Sequence, residues 1–219
     1  MKILFFFLLT FGFNEAFASS QYPDAWWTEV PVDQRNGKWE ILPQEVNPGE
    51  VVLSKRTELG VFSNLALTPF IYDSEFYNSI EGLWQGMKYP DPNDVNDLRN
   101  NHAEKYPYTR NEVYLLSGFE SKKAGTIANK INKQLGIKWI SYKKTKFNYR
   151  DLKQGSKLHY KIIKQATLEK IIQNEEIKNL LIRTRGLKLI PDHTQSKRSP
   201  LSYYYHSILM KIRKKSKLD

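Results

Sequence analysis

The alternation of apolar and polar residues predicts a mostly helical chain with little β structure. Apolar residues recur at helical spacing through much of the chain after residue 78, whereas period-two alternation is confined to short stretches. Extended structure is indicated at residues 60–65, around Trp139 and at 187–190, and a hairpin over 70–77 is expected to turn at Asp73-Ser74. Helices are indicated over 78–88, from Thr109, between Gly118 and Gly136, over 156–173 and 175–183, and around Tyr205 to Ile212. The sequence therefore predicts an α+β fold, mostly α-helical, as one compact domain with a small N-terminal β-hairpin or sheet.

The first eighteen residues have the pattern of a secretory signal peptide. Lys2 gives a positive start, residues 3–13 are apolar and uncharged, and small residues stand at Ala16 and Ala18. The alternative, a buried N-terminal strand, requires neither Lys2 nor the small residues. The run is too short for a permanent membrane helix, and no later segment approaches 18 apolar residues. We expect cleavage after Ala18 and a periplasmic or secreted protein with no transmembrane segment in the mature chain.

The segment after the signal differs in composition from the rest of the chain. Residues 19–57 are rich in proline, tryptophan and polar residues. They are predicted to form a loosely structured N-terminal arm that packs through its aromatic side chains. The main domain is then expected to cover residues 58–219.

The composition limits the chemistry that the chain can support. There are 34 Lys and Arg residues against 23 Asp and Glu, which gives a net charge of +11, and there is no cysteine. A disulfide framework, a thiolate metal site and a cysteine nucleophile are thereby excluded, and the four histidines show no metal-ligand spacing. The positive charge indicates an anionic partner, which can be nucleic acid, a phosphorylated small molecule or an acidic membrane surface.

One face of the helix predicted over 78–88 combines four groups suited to binding a ligand. A carboxylate, an aromatic ring, an amide and an ammonium group stand at helical spacing, as Glu81, Trp84, Gln85 and Lys88. Together they suit a ligand that contains a ring and phosphates. The structural alternative is that Glu81, three residues after Asn78, is a capping-box carboxylate.

Several motifs occur in the order in which they occur in one known family. They are Gly60-Val61-Phe62-Ser63-Asn64-Leu65, Pro69-Phe70, the helix from Ser79 to Lys88, Ala124-Gly125, Trp139, Asn174 to Thr184 and Leu209-Met210-Lys211-Ile212-Arg213. With this order and spacing, the chain over roughly residues 58–214 resembles the NADAR family, the YbiA-like proteins.

The resemblance implies a compact, largely helical α+β fold that binds ligands of the ADP-ribose type. Known activities in that family are hydrolyses of N-glycosidic bonds, either of phosphorylated ribosylamino-pyrimidines or of ADP-ribose attached to guanine. The resemblance makes Glu81 the essential glutamate, places Trp84 and Gln85 in the same helix, and makes Lys88 the basic position. It thus predicts an N-glycosidase acting on a phosphorylated ribosyl or ADP-ribose-like small molecule, without a cofactor.

The chemistry of such a hydrolysis fits these residues. Breaking a ribosyl C–N bond develops positive charge on the sugar, which a carboxylate stabilises, and the same or a second carboxylate can activate water. Trp84 is expected to stack on the base and Lys88 to pair with phosphate. Asn64 is expected either to contact the sugar or base or to form a turn.

The chain departs from the family pattern before the last helix. Many members carry D-x-x-W-G there, whereas this chain has Leu189-Ile190-Pro191-Asp192-His193-Thr194-Gln195. Asp192 or His193 is expected to supply the second acid or base, with Asp192 favoured and His193 placed in the binding site. In the alternative, both residues form a turn after proline. Trp139 is expected either in the core or as a wall of the pocket. The missing Trp-Gly pair leaves open a second function, a non-catalytic module that binds nucleotide or nucleic acid.

Overall fold

A computed structural model of the protein describes residues 22–151 and 154–214. The predicted signal peptide, residues 1–18, lies outside this part of the chain. In the described residues, six α-helices and six short β-strands alternate irregularly with 3-10 turns. The helices are α1 (Ile80–Gly86), α2 (Arg110–Tyr114), α3 (Gly118–Gln134), α4 (Gly155–Ile172), α5 (Glu175–Arg183) and α6 (Tyr205–Arg213). The strands are β1 (Glu50–Val52), β2 (Phe70–Tyr72), β3 (Glu75–Tyr77), β4 (Ile140–Tyr142), β5 (Thr145–Phe147) and β6 (Lys188–Ile190). The predicted α+β, mostly helical fold is confirmed.

The strands form three separate pairs. β2 and β3 are an antiparallel hairpin, and β4 and β5 are another. Asp73 and Ser74 have φ values of 53° and 68°, the left-handed conformation that a two-residue hairpin turn needs, so the predicted turn is confirmed. The β4–β5 turn uses Lys143 and Lys144 in the same conformation. Neither residue type marks such a turn, which is why only an extended piece was expected there.

The strand predicted over residues 60–65 is wrong. Residues Glu58–Phe62 form a 3-10 helix, which Thr57 caps by accepting a hydrogen bond from the backbone N–H of Leu59. The apolar residues Leu59 and Phe62 are both buried by this turn. Leu59 and Phe62 are three residues apart, which is the spacing of a 3-10 helix. In so short a segment this spacing is not distinguishable from the alternation of a strand.

The core lies around α4, the longest helix. α4 contacts α1, α5, α6 and β2, and its Ile163 packs with Leu83, Leu181 and Leu209, all essentially without solvent exposure. Full burial of each such side chain stabilises the fold by about 1.5–3 kcal/mol. This core fixes the position of α1, the helix that carries Glu81.

The N-terminal arm packs into the same core. Trp26 is completely buried and its Nε1 donates to Glu58 at 2.8 Å, while Trp27 donates to the carbonyl of Glu50 at 2.9 Å. β1 pairs in parallel with β6, with Val51 opposite Leu189. The aromatic side chains of the arm are therefore packed, but a loosely structured arm is not what residues 22–57 form, since they contain three 3-10 turns and β1. The strand shows that residues 22–57 also form part of the main core, which their composition did not indicate.

No helix within residues 22–151 and 154–214 is both long enough and apolar enough to cross a membrane.

Candidate active site

A cavity of about 430 Å³ opens between α1, α3 and the segment 193–205. We call it the Glu81 cavity. Six of the predicted site residues line it, namely Asn64, Glu81, Trp84, Gln85, Lys88 and His193. Other elements complete the wall with residues that the sequence did not single out, among them Lys55, Lys122, Tyr149, Arg150, Tyr203 and Tyr205.

Local hydrogen bonds set the orientation of α1. Ser79 is its N-cap: the hydroxyl accepts from the N–H of Gly82 at 2.8 Å and donates to the carbonyl of Leu116 at 2.8 Å. A Cβ at Gly82 would lie 2.7 Å from that same carbonyl, so only glycine allows this close approach of α1 to the chain after α2. The apolar face of α1 is thereby held against α2 and the core, and the opposite face borders the cavity.

The capping-box interpretation of Glu81 is wrong. Ser79 caps the helix in place of Asn78, whose side-chain amide donates to the carbonyl of Leu115 at 2.6 Å. The carboxylate of Glu81 instead accepts a hydrogen bond from Gln85 Nε2 at 2.6 Å. Its own backbone N–H donates to the carbonyl of Asn64 at 2.8 Å, which ties the Asn64 loop to α1.

Burial controls the acidity of Glu81. The residue is only 7% exposed, and this burial raises the pKa of its carboxyl, although the hydrogen bond from Gln85 and the charges of Lys88 and Lys122 act in the opposite direction. A carboxylate with a raised pKa is a stronger base than an exposed one and can accept a proton from water.

Lys88 is a buried cation on the same face. It is 4% exposed, and burial lowers the pKa of its ammonium group to about 8, with the charge of Glu81 acting against the shift. Its Nζ lies 5.6 Å from the centre of the Trp84 ring. Among the described residues it forms no ion pair within 4.0 Å, so its charge is available to an anion in the cavity.

Two buried polar atoms in the cavity wall have no hydrogen-bond partner in the described structure. They are the donor Nε1 of Trp84 and the acceptor Oε1 of Gln85. Tyr203 meets the Trp84 ring at a steep angle with centroids 4.7 Å apart, so the ring forms a fixed wall. An unpaired buried polar group costs about 1–3 kcal/mol. A ligand with a donor and an acceptor would remove this penalty.

Asp192 stands behind His193. One carboxylate oxygen lies 2.6 Å from His193 Nδ1 and accepts from the Tyr205 hydroxyl at 3.1 Å, and the other lies 2.8 Å from Lys55 Nζ. His193, Tyr205 and Lys55 all line the cavity, whereas Asp192 does not. Burial alone would raise the pKa of Asp192, but hydrogen bonds from His193 and Lys55 outweigh it and lower the pKa to about 2.

This geometry corrects the prediction that Asp192 is the second acid or base. A carboxylate that is ionised at neutral pH only accepts hydrogen bonds, so Nδ1 of His193 carries the proton between the two residues. The other ring nitrogen, Nε2, is then the one that can exchange a proton with a ligand. His193 is therefore the residue with access to the cavity, and Asp192 positions it.

The prediction that Trp139 walls the Glu81 cavity is also corrected. Trp139 lines a neighbouring depression instead. The Arg99 guanidinium lies 4.4 Å from the centre of its ring, and Lys146 Nζ lies 4.9 Å from it. Trp139 comes directly before β4, which pairs with β5.

No group of three or more histidine, aspartate or glutamate side chains in the described residues is arranged to hold a metal ion.

No family is shown for this chain by its similarity to known proteins. No family model matches the chain, and no curated protein matches it. Among solved structures, the chain is similar to the NMR structure of the E. coli protein YbiA, with a TM-score of 0.45 and 18% sequence identity, over 77% of this chain and 85% of that chain.

Proposed function

We propose that this protein hydrolyses the N-glycosidic bond of a ribosylated compound, of the ADP-ribose or ribosylated-base type, in the Glu81 cavity. The observation that carries the proposal is the buried carboxylate of Glu81, held by Gln85 beside the unpaired ammonium of Lys88. A carboxylate and a cation on one cavity wall suit a substrate that develops positive charge on a sugar and carries phosphate. The resemblance of the motifs to the NADAR family supports the same reaction.

The reaction needs one base and one acid. Glu81 accepts a proton from a water molecule as the water oxygen bonds to the anomeric carbon of the ribose. The C–N bond breaks, and its electron pair remains on the departing nitrogen. The negative charge of Glu81 also stabilises the oxocarbenium-like sugar before the new bond is complete. The separation of two carboxylates that describes glycosidases does not transfer, since the second group here is an imidazole.

His193 supplies the proton to the leaving base. Asp192 accepts the hydrogen bond from Nδ1–H, so His193 acts as an acid in its imidazolium form, in which Nε2 carries a second proton and donates it to the departing nitrogen, which leaves as a neutral base. Proton exchange with water then restores Glu81 and His193. Lys88 and Arg150 bind the phosphates, and Trp84 and Gln85 contact the base or sugar through their unpaired atoms.

The test is base release by the mature protein. It is incubated with NAD, ADP-ribose, ADP-ribosylated guanosine and ribosylamino-pyrimidine phosphates, and products are separated by chromatography. Glu81→Gln is isosteric and is expected to lower base release at least 100-fold while it retains ligand binding, because it removes both the base and the negative charge that stabilises the sugar cation but keeps the shape of the side chain. The control variant Glu58→Gln alters a carboxylate outside the cavity and should be fully active. The catalytic proposal fails if no substrate is cleaved, or if Glu81→Gln cleaves as fast as the unaltered protein.

A second candidate function is binding without catalysis. It is favoured by Lys88, which has no ion-pair partner among residues 22–151 and 154–214, because this cation attracts an anionic ligand whether or not Glu81 acts on it. Ligand binding that is equal in the protein and in Glu81→Gln, together with no base release from any of the four compounds, would establish this function instead.

The signal-peptide pattern of residues 1–18 leads us to propose export to the periplasm or beyond. Riboflavin intermediates and chromosomal DNA are cytosolic. An exported enzyme would therefore meet a different ribosylated compound.

A further inference from the structure

One lysine of α4 is buried without an ion-pair partner. Lys170 is 1% exposed, and its side chain forms no ion pair with any residue in 22–151 or 154–214. Burial lowers the pKa of its ammonium group to about 7. A buried amine of this kind is costly, because the interior solvates it less well than water does. The reaction proposed above gives Lys170 no role.

The side chain of Lys170 is bonded to the segment that leads to Asn64. Its Nζ donates to the carbonyl of Val61 at 2.8 Å and to the carbonyl of Ser63 at 3.1 Å. Val61 lies in the 3-10 helix Glu58–Phe62, and Ser63 is the C-cap of that helix. A lysine amine has three N–H donors when it is charged and two when it is neutral, so both bonds can form in either state.

Residues 63–66, the Asn64 loop, form a turn in the wall of the Glu81 cavity. The turn is closed by the backbone N–H of Ala66, which donates to the carbonyl of Ser63 at 3.2 Å. The next carbonyl, that of Asn64, accepts from the N–H of Glu81 at 2.8 Å. Three residues of the loop line the cavity, namely Ser63, Asn64 and Leu65. Lys170 therefore bonds to the carbonyl that closes the turn, one residue before the bond to α1.

The backbone around Lys170 is fixed to the same part of the chain. Asn174 Nδ2 donates to the carbonyl of Lys170 at 2.8 Å and to the carbonyl of Pro69 at 3.1 Å. The end of α4 is thus attached to the chain on both sides of the Asn64 loop, through the Lys170 amine before it and through Asn174 after it. The amine is held by a rigid element at the position where the loop begins.

We propose that Lys170 is a positioning residue of the Glu81 cavity, whose amine fixes the Asn64 loop so that Asn64 faces the ligand and its carbonyl holds α1 at Glu81. The link to catalysis rests on the function proposed above. Lys170 does not line the cavity, so it acts through Asn64. Because Asn64 is expected to contact the sugar or base, loss of the amine should raise KM more than it lowers kcat.

The experiment removes the amine and then restores it. The chain has no cysteine, so Lys170→Cys carries a single thiol, which is alkylated in the unfolded protein before refolding. Alkylation with 2-bromoethylamine gives a side chain as long as lysine with a terminal amine. Alkylation with bromoethane gives the same chain without the amine. Lys170→Met, which needs no refolding, is a second protein without the amine.

The matched control is Thr167→Val. Thr167 is also buried on α4, and its hydroxyl donates to the carbonyl of Ile163 in the same helix at 2.7 Å. The change removes a buried polar group from α4 without altering the bonds to the Asn64 loop. It therefore shows what loss of a buried hydrogen bond in this helix does by itself.

Hydrogen exchange of backbone amides measures the loop without turnover. Without the Lys170 amine, the N–H groups of Glu81 and Ala66 should exchange about tenfold faster, as expected from the loss of a hydrogen bond to a buried carbonyl. The protein with the restored amine should regain the slow exchange. The N–H of Leu53, which donates to the carbonyl of Ile190 at 2.8 Å, should not change, because global destabilisation would accelerate all three amides together.

The kinetic measurement is KM and kcat for base release. KM should rise about tenfold without the amine, and it should return when the amine is restored. In an Asn64→Ala background, loss of the amine should have little further effect on KM, since Lys170 acts through Asn64. Thr167→Val should leave KM unchanged.

The proposal is overturned if exchange at Glu81 and Ala66 stays slow without the amine, or if it rises equally at Leu53. It is also overturned if the alkylated proteins with and without the amine have the same KM. Failure of the N-glycosidase proposal would show itself as no base release from any compound, whereas the difference in hydrogen exchange would persist.

Discussion

The carboxylate of Asp192 contacts His193 and Tyr205 through hydrogen bonds and Lys55 through an ion pair. It is buried and ionised, and it is separated from the Glu81 cavity by these residues. We therefore expect Asp192 to affect the proposed reaction through the orientation and charge of His193. Positioning of this kind separates it from Glu81, whose carboxylate faces the cavity directly.

We expect Asp192→Asn to lower kcat/KM about 10- to 100-fold with little change in KM, because the amide no longer fixes the proton on Nδ1 of His193. The measurement is kcat and KM for base release, determined separately. Tyr205→Phe, which removes one hydrogen bond and no charge, is the matched control. An unchanged kcat in Asp192→Asn would contradict the positioning role.

At the residue scale, the sequence predicts those site residues that share an element. Helical periodicity placed Glu81, Trp84, Gln85 and Lys88 on one face, and the structure puts all four in one cavity. Lys122 and Tyr203 reach that cavity from elements distant in sequence, so no local spacing could have indicated them. The roles of Asp192 and His193 could not be separated by sequence either, because adjacent residues in a loop can point in either direction.

Among the elements, the contact between α1 and α3 depends on one glycine. A Cβ at Gly125 would lie 1.7 Å from Oε1 of Gln85, the side chain that donates to Glu81. α3 therefore comes close enough to α1 to confine the Gln85 amide. This packing holds the carboxylate of Glu81 in place.

We expect Gly125→Ala to displace the Gln85 side chain and to lower base release about tenfold or more. A helical glycine-to-alanine change normally stabilises a protein by about 0.5–1 kcal/mol. Here the loss of the hydrogen bond to buried Glu81 costs about 1–3 kcal/mol, so the net change in the free energy of unfolding is expected to be destabilising. Chemical denaturation and activity measurements test both effects.

The control is a double-mutant cycle with Gln85→Ala. If Gly125→Ala acts through Gln85, its effect on activity should largely disappear in the Gln85→Ala background. Equal effects in both backgrounds would show that the glycine matters for another reason.

At the element scale, the predicted helices agree with the structure because their apolar faces are long and regular. The predicted strand at 60–65 failed because a capped 3-10 turn buries Leu59 and Phe62 as well as a strand would. The pairing of β1 with β6 was not predictable, since it joins two three-residue strands far apart in sequence whose register depends on the tertiary fold.

The whole molecule carries several buried bases. Burial lowers the pKa of Lys170 to about 7 and that of His159 to about 3, as it lowers the pKa of Lys88 to about 8. Lys170 Nζ donates to the carbonyls of Val61 and Ser63, next to Asn64 of the cavity. In each case the unfolded chain holds more protons than the folded protein between the folded and unfolded pKa values.

Stability is therefore expected to rise with pH. His159 contributes between about pH 3 and 6.5, Lys170 above about pH 7 and Lys88 above about pH 8. Each such group adds about 1.4 kcal/mol per pH unit in its range. Above about pH 10 the trend should reverse, because burial raises the pKa of tyrosines such as Tyr77 and Tyr89. The net charge of +11 also decreases as the pH rises, and the weaker self-repulsion stabilises the folded protein further.

The prediction is a melting temperature that is higher at pH 9 than at pH 7 by roughly 8 to 16 °C, for about 4 kcal/mol of added stability from Lys170 and Lys88 together. Thermal unfolding followed by circular dichroism at pH 6, 7, 8 and 9 measures it. Lys170→Met should flatten the slope between pH 7 and 9, whatever its effect on stability itself. A melting temperature that is constant or falls over this range would contradict the assignment.

Because β1 pairs with β6, the Glu81 cavity can be completed only after the C-terminal part of the chain has been synthesised. Lys55 is synthesised early, whereas His193, Tyr203 and Tyr205 follow near the end of translation, and the cavity needs all of them. The backbone N–H of Ile41 donates to the carbonyl of Asp192, so the N-terminal segment is in direct contact with the segment that carries His193. A nascent chain therefore contains Glu81 long before it contains the residues that complete the cavity around it. Proteolysis after α5 would remove the cavity residues His193, Tyr203 and Tyr205 while leaving Glu81 in the chain.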